Sequence, residues 1–109
     1  MIQFVAQQLN TETLRLSVVG NLTIYTAVDS KKQLIDALHD SQQLELDLSG
    51  VDEMDSAGFQ LLLLLKRESQ QHARTLLISS HSPAVQEVLM FYNMDRYLGL
   101  SAVLSAQPH

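Results

Sequence analysis

The chain has 109 residues, of which 46% are hydrophobic and 17% are charged, a composition that predicts a single globular domain over residues 1–109. Seven basic and twelve acidic residues give a net charge of −5, which argues against nucleic acid or anionic lipid as a partner because both attract a basic face. Cysteine is absent, so disulfides, thiolate catalysis and zinc–thiolate sites are excluded.

The first ten residues are not expected to form a signal peptide. They include three glutamines and one asparagine and lack the apolar stretch of a signal peptide. The longest apolar run covers residues 61–65, whereas a helix needs about 18–20 apolar residues to cross a bilayer. We therefore expect a cytoplasmic protein with no direct membrane insertion.

The first half of the chain is predicted to form a hairpin followed by a helix. Apolar and polar residues alternate over residues 2–6 and 14–18, which indicates two strands, and a turn is expected at 10–12. Gly20 and Asn21 are expected to end the second strand. Apolar residues at helical spacing then predict a first helix from about residue 24 to residue 40.

The second half of the chain continues this alternation. Strands are predicted over residues 44–48 and 75–79, with a polar loop over 49–55. One helix is predicted over 57–71 and another from Pro83 to about residue 92. Ser82 and Pro83 suit the cap and first turn of the last helix, and a short strand over 97–100 and a helical tail over 101–106 follow. This order predicts an α/β fold with a mixed, mostly parallel sheet of four or five strands and three or four helices packed against it.

Ser56 lies where the polar loop meets the second predicted helix. One interpretation is a helix N-cap, for which serine is a preferred residue. The other is a phosphorylation site, where a phosphate would add about −1.5 to −2 charges beside Asp52, Glu53 and Asp55. Helix N–H groups would tolerate that charge locally, so the two interpretations are compatible.

Five consecutive leucines, residues 61–65, point in every direction around the second helix. They are either covered by adjacent helices or, with Leu62 among them, form an apolar docking surface next to Ser56. Gly58 early in this helix costs up to ~1 kcal/mol relative to alanine. That cost indicates a close approach of backbone, either to a strand or to a partner.

No pattern favours an enzyme or a metalloprotein. The sequence has no Walker A, GxSxG or GxGxxG motif, and a triad of Ser56, His81 and an aspartate is a weak hypothesis that many chains permit. His39 and His72 suit the ends of helices. No histidine is expected to have a metal-ligand partner at i, i+4 spacing, so no metal site and no cofactor are predicted.

Several segments resemble the STAS family, whose founding members are bacterial anti-sigma factor antagonists. Residues 46–49 followed by 54–58 (Met-Asp-Ser-Ala-Gly) are similar to its phosphorylation-site motif, and residues 20–22 with Ala27 to its strand–turn–helix entry. The resemblance covers nearly the whole chain and implies a single STAS domain. Residues 22–27 and 81–85 are especially similar to STAS proteins found near bacterial chemotaxis genes.

The resemblance implies a partner-switching cycle. An unphosphorylated antagonist binds an anti-sigma factor that is also a serine kinase, phosphorylation of one serine separates the two, and a phosphatase reverses the modification. Ser56 corresponds to that phosphoacceptor, and Asp55 and Gly58 correspond to its motif neighbours. ATP belongs to the kinase partner, so the chain itself is expected to be non-enzymatic.

The predicted partner-binding residues come from the strand–turn–helix entry, the polar loop and the second helix. They are Asn21, Leu22, Thr23, Asp52, Glu53, Asp55, Ser56, Ala57, Gly58 and Leu62. Thr23 stands where many antagonists have an acidic residue. The alternative is a cytoplasmic STAS accessory subunit of a phospholipid-transport ABC system, which binds its ATPase without a regulatory serine. Residues 91–94 loosely resemble a segment of that subunit. The serine motif favours the phosphorylation switch.

Overall fold

The computed structural model describes residues 1–94, which contain seven regular elements. The strands are β1 (Ile2–Gln8), β2 (Thr13–Leu22), β3 (Gln43–Met54) and β4 (Thr75–His81), and the helices are α1 (Ala27–His39), α2 (Ser56–Gln71) and α3 (Pro83–Phe91). The strand predicted over 97–100 and the tail predicted over 101–106 lie outside the described residues. Among residues 1–94, no helix has the length and apolar character needed to span a membrane.

The strands form one four-stranded sheet in the order β1-β2-β3-β4. β1 and β2 pair antiparallel as a hairpin, whereas β2–β3 and β3–β4 pair in parallel across the helical connections. This confirms the predicted α/β class with a mixed sheet. Because β2 and β3 run parallel, the loops that lead into α1 and α2 leave the sheet at the same edge.

The hydrophobic core lies between one face of the sheet and the helices. Alternate residues of β2 and β3, such as Leu16, Val18, Leu44 and Leu46, are buried, as expected for strands with one covered face. The residues between them are polar: the Arg15 Nε–H donates to Glu45 Oε2 at 2.6 Å. The helices therefore leave the other face of the central strands hydrophilic.

Asp47 on that hydrophilic face accepts several hydrogen bonds. Its Oδ1 accepts from the hydroxyls of Ser49 and Ser80, and its Oδ2 accepts from Ser17 at 3.4 Å. Desolvation acts to raise the pKa of Asp47, but these hydrogen bonds together outweigh it and lower the pKa below 3.8. The carboxylate thus links β2, β3 and β4.

Two strands are longer than the sequence pattern predicted. β2 continues past Gly20 and Asn21 to Leu22, and β3 includes the residues predicted as a polar loop up to Met54. The β2–β3 register shifts twice, between Ser17 and Val19 and again after Gly20. Such irregularities keep the strands paired while they interrupt the alternation of apolar and polar residues, so the pattern was misread as a loop.

The leucine run of α2 is divided between full and partial burial. Leu61, Leu62 and Leu65 are buried, while Leu63 and Leu64 are partly buried against the same core. α2 contacts α1, α3, β3 and β4, so neighbouring elements cover more than one side of the helix. The assignment of Leu62 to a docking surface was therefore wrong.

Candidate docking and phosphoacceptor site

The N-terminus of α2 is capped by Asp55 and not by Ser56. Asp55 Oδ1 accepts hydrogen bonds from the backbone N–H groups of Ala57 at 2.9 Å and Gly58 at 3.1 Å. Aspartate is among the best N-cap residues, and its charge also suits the positive end of the helix dipole. The interpretation of Ser56 as the cap was wrong by one residue.

The second carboxylate oxygen of Asp55 reaches a different element. Asp55 Oδ2 accepts the backbone N–H of Ile24 at 3.0 Å, which joins the start of α2 to the loop between β2 and α1. Desolvation acts to raise the pKa of Asp55, but the N–H bonds from Ile24, Gly58 and Ala57 outweigh it and lower the pKa below 3.8. A charged Asp55 therefore fixes two loops against each other.

The loop that Asp55 joins has its own internal hydrogen bonds. Thr26 Oγ1 accepts from the Thr23 N–H at 3.1 Å and donates to the Asn21 carbonyl at 2.7 Å. The Thr26 N–H also donates to the Thr23 carbonyl at 3.0 Å. This turn explains why α1 begins at Ala27 and not near residue 24, and it holds the intervening side chains on the surface.

Ser56 is the first residue of α2, and its side chain is exposed. Within residues 1–94 no hydrogen bond engages its hydroxyl, because Asp55 already satisfies the nearby N–H groups. No hydrogen bond joins it to His81 either, whose Nδ1 is buried without a partner among the described residues. The structure thus presents Ser56 as an accessible hydroxyl, and within residues 1–94 it does not assemble the triad.

Gly58 and Leu22 have structural positions in this site. A Cβ at Gly58 would collide with the backbone carbonyl of Leu22 and lie 3.0 Å from the Met54 side chain. Leu22 itself is fully buried. Of the two explanations for Gly58, the close approach to a strand is correct. Leu22 and Gly58 are both buried, so their assignment as partner-binding residues was wrong.

The other predicted partner-binding residues lie at or near the surface around Ser56. Asp52 and Glu53 are exposed on β3, whereas Asn21, Thr23 and Ala57 are partly buried. Asn21, Thr23 and Glu53 line one pocket together with Tyr25. The structure thus brings the strand–turn–helix entry and the start of α2 together, as the sequence analysis expected.

Large exposed apolar side chains surround this region, and the sequence analysis did not assign them to it. Ile24, Tyr25 and Val28 are 67%, 94% and 83% exposed, and Phe91 at the end of α3 is 78% exposed. Val28 is one of the apolar residues whose helical spacing predicts α1. The sequence signal was present but ambiguous, because the sequence of a helix does not show which of its apolar residues face the sheet and which face solvent.

Two surface depressions adjoin the first turns of α2. One is a groove of about 470 Å³ between α1 and α2, lined by residues that include Val28, Lys31, Gln60 and Leu64. The other, of about 200 Å³, is lined by Ser56 itself with Glu87 and Phe91. A partner that covered Ser56 would have apolar surface available on both sides.

A separate polar cluster lies at the opposite end of α2. His72 follows Glu68 by four residues, a spacing that the sequence analysis overlooked. The His72 Nε2 lies 3.1 Å and the His39 Nε2 3.6 Å from Glu68 Oε2. His39 comes from α1, so only the packing of the two helices reveals this cluster.

Comparison with known proteins identifies the family. A sequence model described as the STAS domain of Mlab matches residues 5–104. The chain belongs to the STAS domain family. Its serine motif and its strand–turn–helix entry therefore lie within a STAS domain, as the sequence resemblance implied.

Solved STAS structures share this fold at low sequence identity. An anti-sigma factor antagonist from Mycobacterium paratuberculosis is 20% identical with a TM-score of 0.78, over 97% of this chain and 93% of that one. Unphosphorylated SpoIIAA is 21% identical with a TM-score of 0.69, over 84% and 82%. The phosphorylated form of SpoIIAA, a Bacillus cell fate determinant, is 20% identical with a TM-score of 0.67, over 86% of each chain.

Proposed function

We propose that this protein is a regulatory STAS module of the anti-sigma factor antagonist type, which binds a protein partner and is released by phosphorylation of Ser56. The partner is an anti-sigma factor of the serine kinase type, and a phosphatase restores the free hydroxyl. The observation that carries the proposal is the exposed Ser56 hydroxyl at the start of α2, with exposed apolar side chains on both sides.

The proposed docking face consists of Thr23, Ile24, Tyr25, Val28, Asp52, Glu53, Ser56, Ala57 and Phe91. Protein interfaces usually have an apolar centre with a polar rim, and large aromatic anchors carry much of the binding free energy. Tyr25 at 94% exposed and Phe91 at 78% exposed fit the role of anchors. The acidic residues fit the rim.

A phosphate at Ser56 would act on docking and leave the fold in place. The start of a helix tolerates negative charge, so α2 has no reason to unfold. The docking face, however, already carries the carboxylates of Asp52 and Glu53, and Glu87 lines the same depression as Ser56. Adding about −1.5 to −2 charges there would repel an acidic partner surface, and burying that charge against an apolar one would cost desolvation free energy.

The proposal describes a single-domain, non-enzymatic protein that works in the cytoplasm. ATP would be bound by the kinase partner and not by this chain. The link to chemotaxis, which residues 22–27 and 81–85 suggested, stays a prediction. The ABC-type ATPase partner is not favoured by the comparisons and serves as an outcome of the experiment below.

The experiment compares capture of partners by four purified baits from a lysate of the source cells. Wild type and Ser56→Ala are expected to retain a serine-kinase-like protein, identified by mass spectrometry, and Ser56→Asp is expected to lose it. Thr11→Asp is the matched control. Thr11 is exposed in the β1–β2 turn, so this substitution adds the same charge away from the docking face.

The outcomes separate the hypotheses. Loss of the kinase with Ser56→Asp but not with Thr11→Asp supports the switch. Equal capture by all four baits would contradict it, and equal capture of an ABC ATPase would favour the transport-subunit alternative. Denaturation curves of the baits show whether lost binding reflects lost folding, and we expect Ser56→Asp to be as stable as wild type.

A further inference from the structure

The C-terminal ends of α1 and α2 bring together three side chains that the proposed function does not use. His39 is the last residue of α1, His72 is the C-cap of α2, and Glu68 lies one turn before His72. One donor atom from each residue lies within 4.8 Å of the other two. The three side chains therefore come together only because α1 and α2 end side by side.

Both imidazoles approach the same carboxylate oxygen. Glu68 Oε2 lies 3.1 Å from His72 Nε2 and 3.6 Å from His39 Nε2, and the two rings meet edge to face with centroids 4.8 Å apart. In a tetrahedral zinc site with bonds of about 2.0–2.2 Å, neighbouring ligand atoms lie about 3.3 Å apart. The two separations from Glu68 Oε2 bracket that value, and all three donor atoms lie within 4.8 Å of one another.

The chemistry of the three donors suits a borderline divalent metal. Two imidazole nitrogens and one carboxylate oxygen are zinc ligands, and the set of two histidines and one glutamate leaves a fourth position for water. Hard cations such as Mg²⁺ prefer sites built from oxygen alone. With neutral imidazoles the set carries a single negative charge, so a dication would be only partly neutralised by its ligands.

The position of the cluster also favours a cation. The last carbonyls of a helix and its dipole create partial negative charge at the C-terminus, and here two helix C-termini contribute at one place. The three side chains are between about a quarter and a half exposed, at 38%, 27% and 49%. A metal ion can therefore enter from solvent without unfolding.

We propose that His39, Glu68 and His72 form a Zn²⁺ site with water as the fourth ligand. The ion would connect the C-terminal end of α1 to that of α2. Glu68 lies twelve residues beyond Ser56 in α2, about 18 Å along a helix that rises 1.5 Å per residue. The site is thus separate from the docking face, and the proposal does not depend on the phosphorylation switch.

The test is calorimetric titration of metal-free protein with ZnCl₂ at pH 7.5. Wild type is expected to bind one equivalent, and thermal unfolding is expected to shift to higher temperature with zinc. His39→Ala, Glu68→Gln and His72→Ala should each weaken binding about tenfold or more, since even outer-shell changes cost 10–100-fold. His109→Ala, which alters a histidine outside the described residues, should bind as wild type does, and MgCl₂ should give no heat of binding.

Three results would overturn the proposal. The first is that wild type shows no saturable zinc binding. The second is that Glu68→Gln or His39→Ala binds zinc with unchanged affinity, and the third is that only His109→Ala loses zinc binding. The far-UV circular dichroism of each metal-free variant must match wild type. If His39→Ala is not folded, His39→Gln tests the same ligand with a side chain closer in size.

Discussion

The two ends of α2 show opposite chemistry. At the N-terminus a carboxylate, Asp55, accepts the free N–H groups, and the surface beside it is apolar and exposed. At the C-terminus, His72 and His39 gather around Glu68. The charge of Asp55 suits the positive N-terminal end of the helix dipole, whereas Glu68 in the last turn has the sign that the C-terminal end disfavours.

The difference shows how one helix can serve two purposes. The N-terminal end is fixed by hydrogen bonds that the Asp55 carboxylate accepts from the backbone N–H groups of Ala57, Gly58 and Ile24, and the Ser56 side chain stays exposed on the surface. At the C-terminal end, His39 of α1 and His72 of α2 approach one carboxylate oxygen of Glu68. We therefore expect changes at the first end to affect stability and docking, and changes at the second to affect chiefly metal binding.

The largest effect is expected in the buried middle of α2, which holds both ends in place. Leu62→Asp puts an unpaired charge into a fully buried position. The free energy of unfolding is expected to fall by more than about 4 kcal/mol, enough to unfold most of the protein. Val28→Asp is the control, because Val28 is 83% exposed. It should stay folded in urea denaturation yet bind the partner less well, and an unfolded Val28→Asp would contradict the assignment.

A smaller but clear loss is expected for Gly58→Val near the N-terminal end. The new side chain would meet the Leu22 carbonyl and the Met54 side chain, and overpacking of this kind costs about 1–3 kcal/mol or more. Urea denaturation measures it. Gln60→Ala, at an exposed position two residues further on, should change stability by less than about 0.5 kcal/mol; equal effects of the two changes would refute the close approach.

Asp55→Ala should cost about 1–2 kcal/mol, the usual effect of losing an N-cap. Because the pKa of Asp55 is lowered in the folded state, its contribution is complete above the unfolded value near 3.9 and is lost as the pH falls through the folded value. The variant should therefore lose less stability than wild type between about pH 5 and 2. The measurement is urea denaturation across that range, with Asp52→Ala as the exposed control.

The smallest effect is expected at the other end of α2 in the absence of metal. His72→Ala removes a partly exposed contact to Glu68, and such pairs contribute about 0–1 kcal/mol. Thermal unfolding in a chelating buffer should therefore differ little from wild type. A loss of several kcal/mol without metal would mean that the two ends are not as different as the structure indicates.

The sequence alone determined the order of elements in residues 1–94 and the α/β class, because periodicity and turn residues act locally. It also determined the cap at Ser82, which accepts from the Val85 N–H at 3.3 Å, and it located Ser56 at the start of α2 to within one residue. The register shifts in β2–β3 were not predictable, because pairing with another strand and not local pattern keeps those polar residues extended.

Only the tertiary structure decided which side of each helix faces the core. It buried Leu62 and exposed Val28, although both are apolar residues in helices, since burial depends on the sheet and the neighbouring helices. It also explained Gly58 through the Leu22 carbonyl and brought His39 to Glu68. These relationships join residues far apart in the chain, and their distances are set by packing that no local pattern contains.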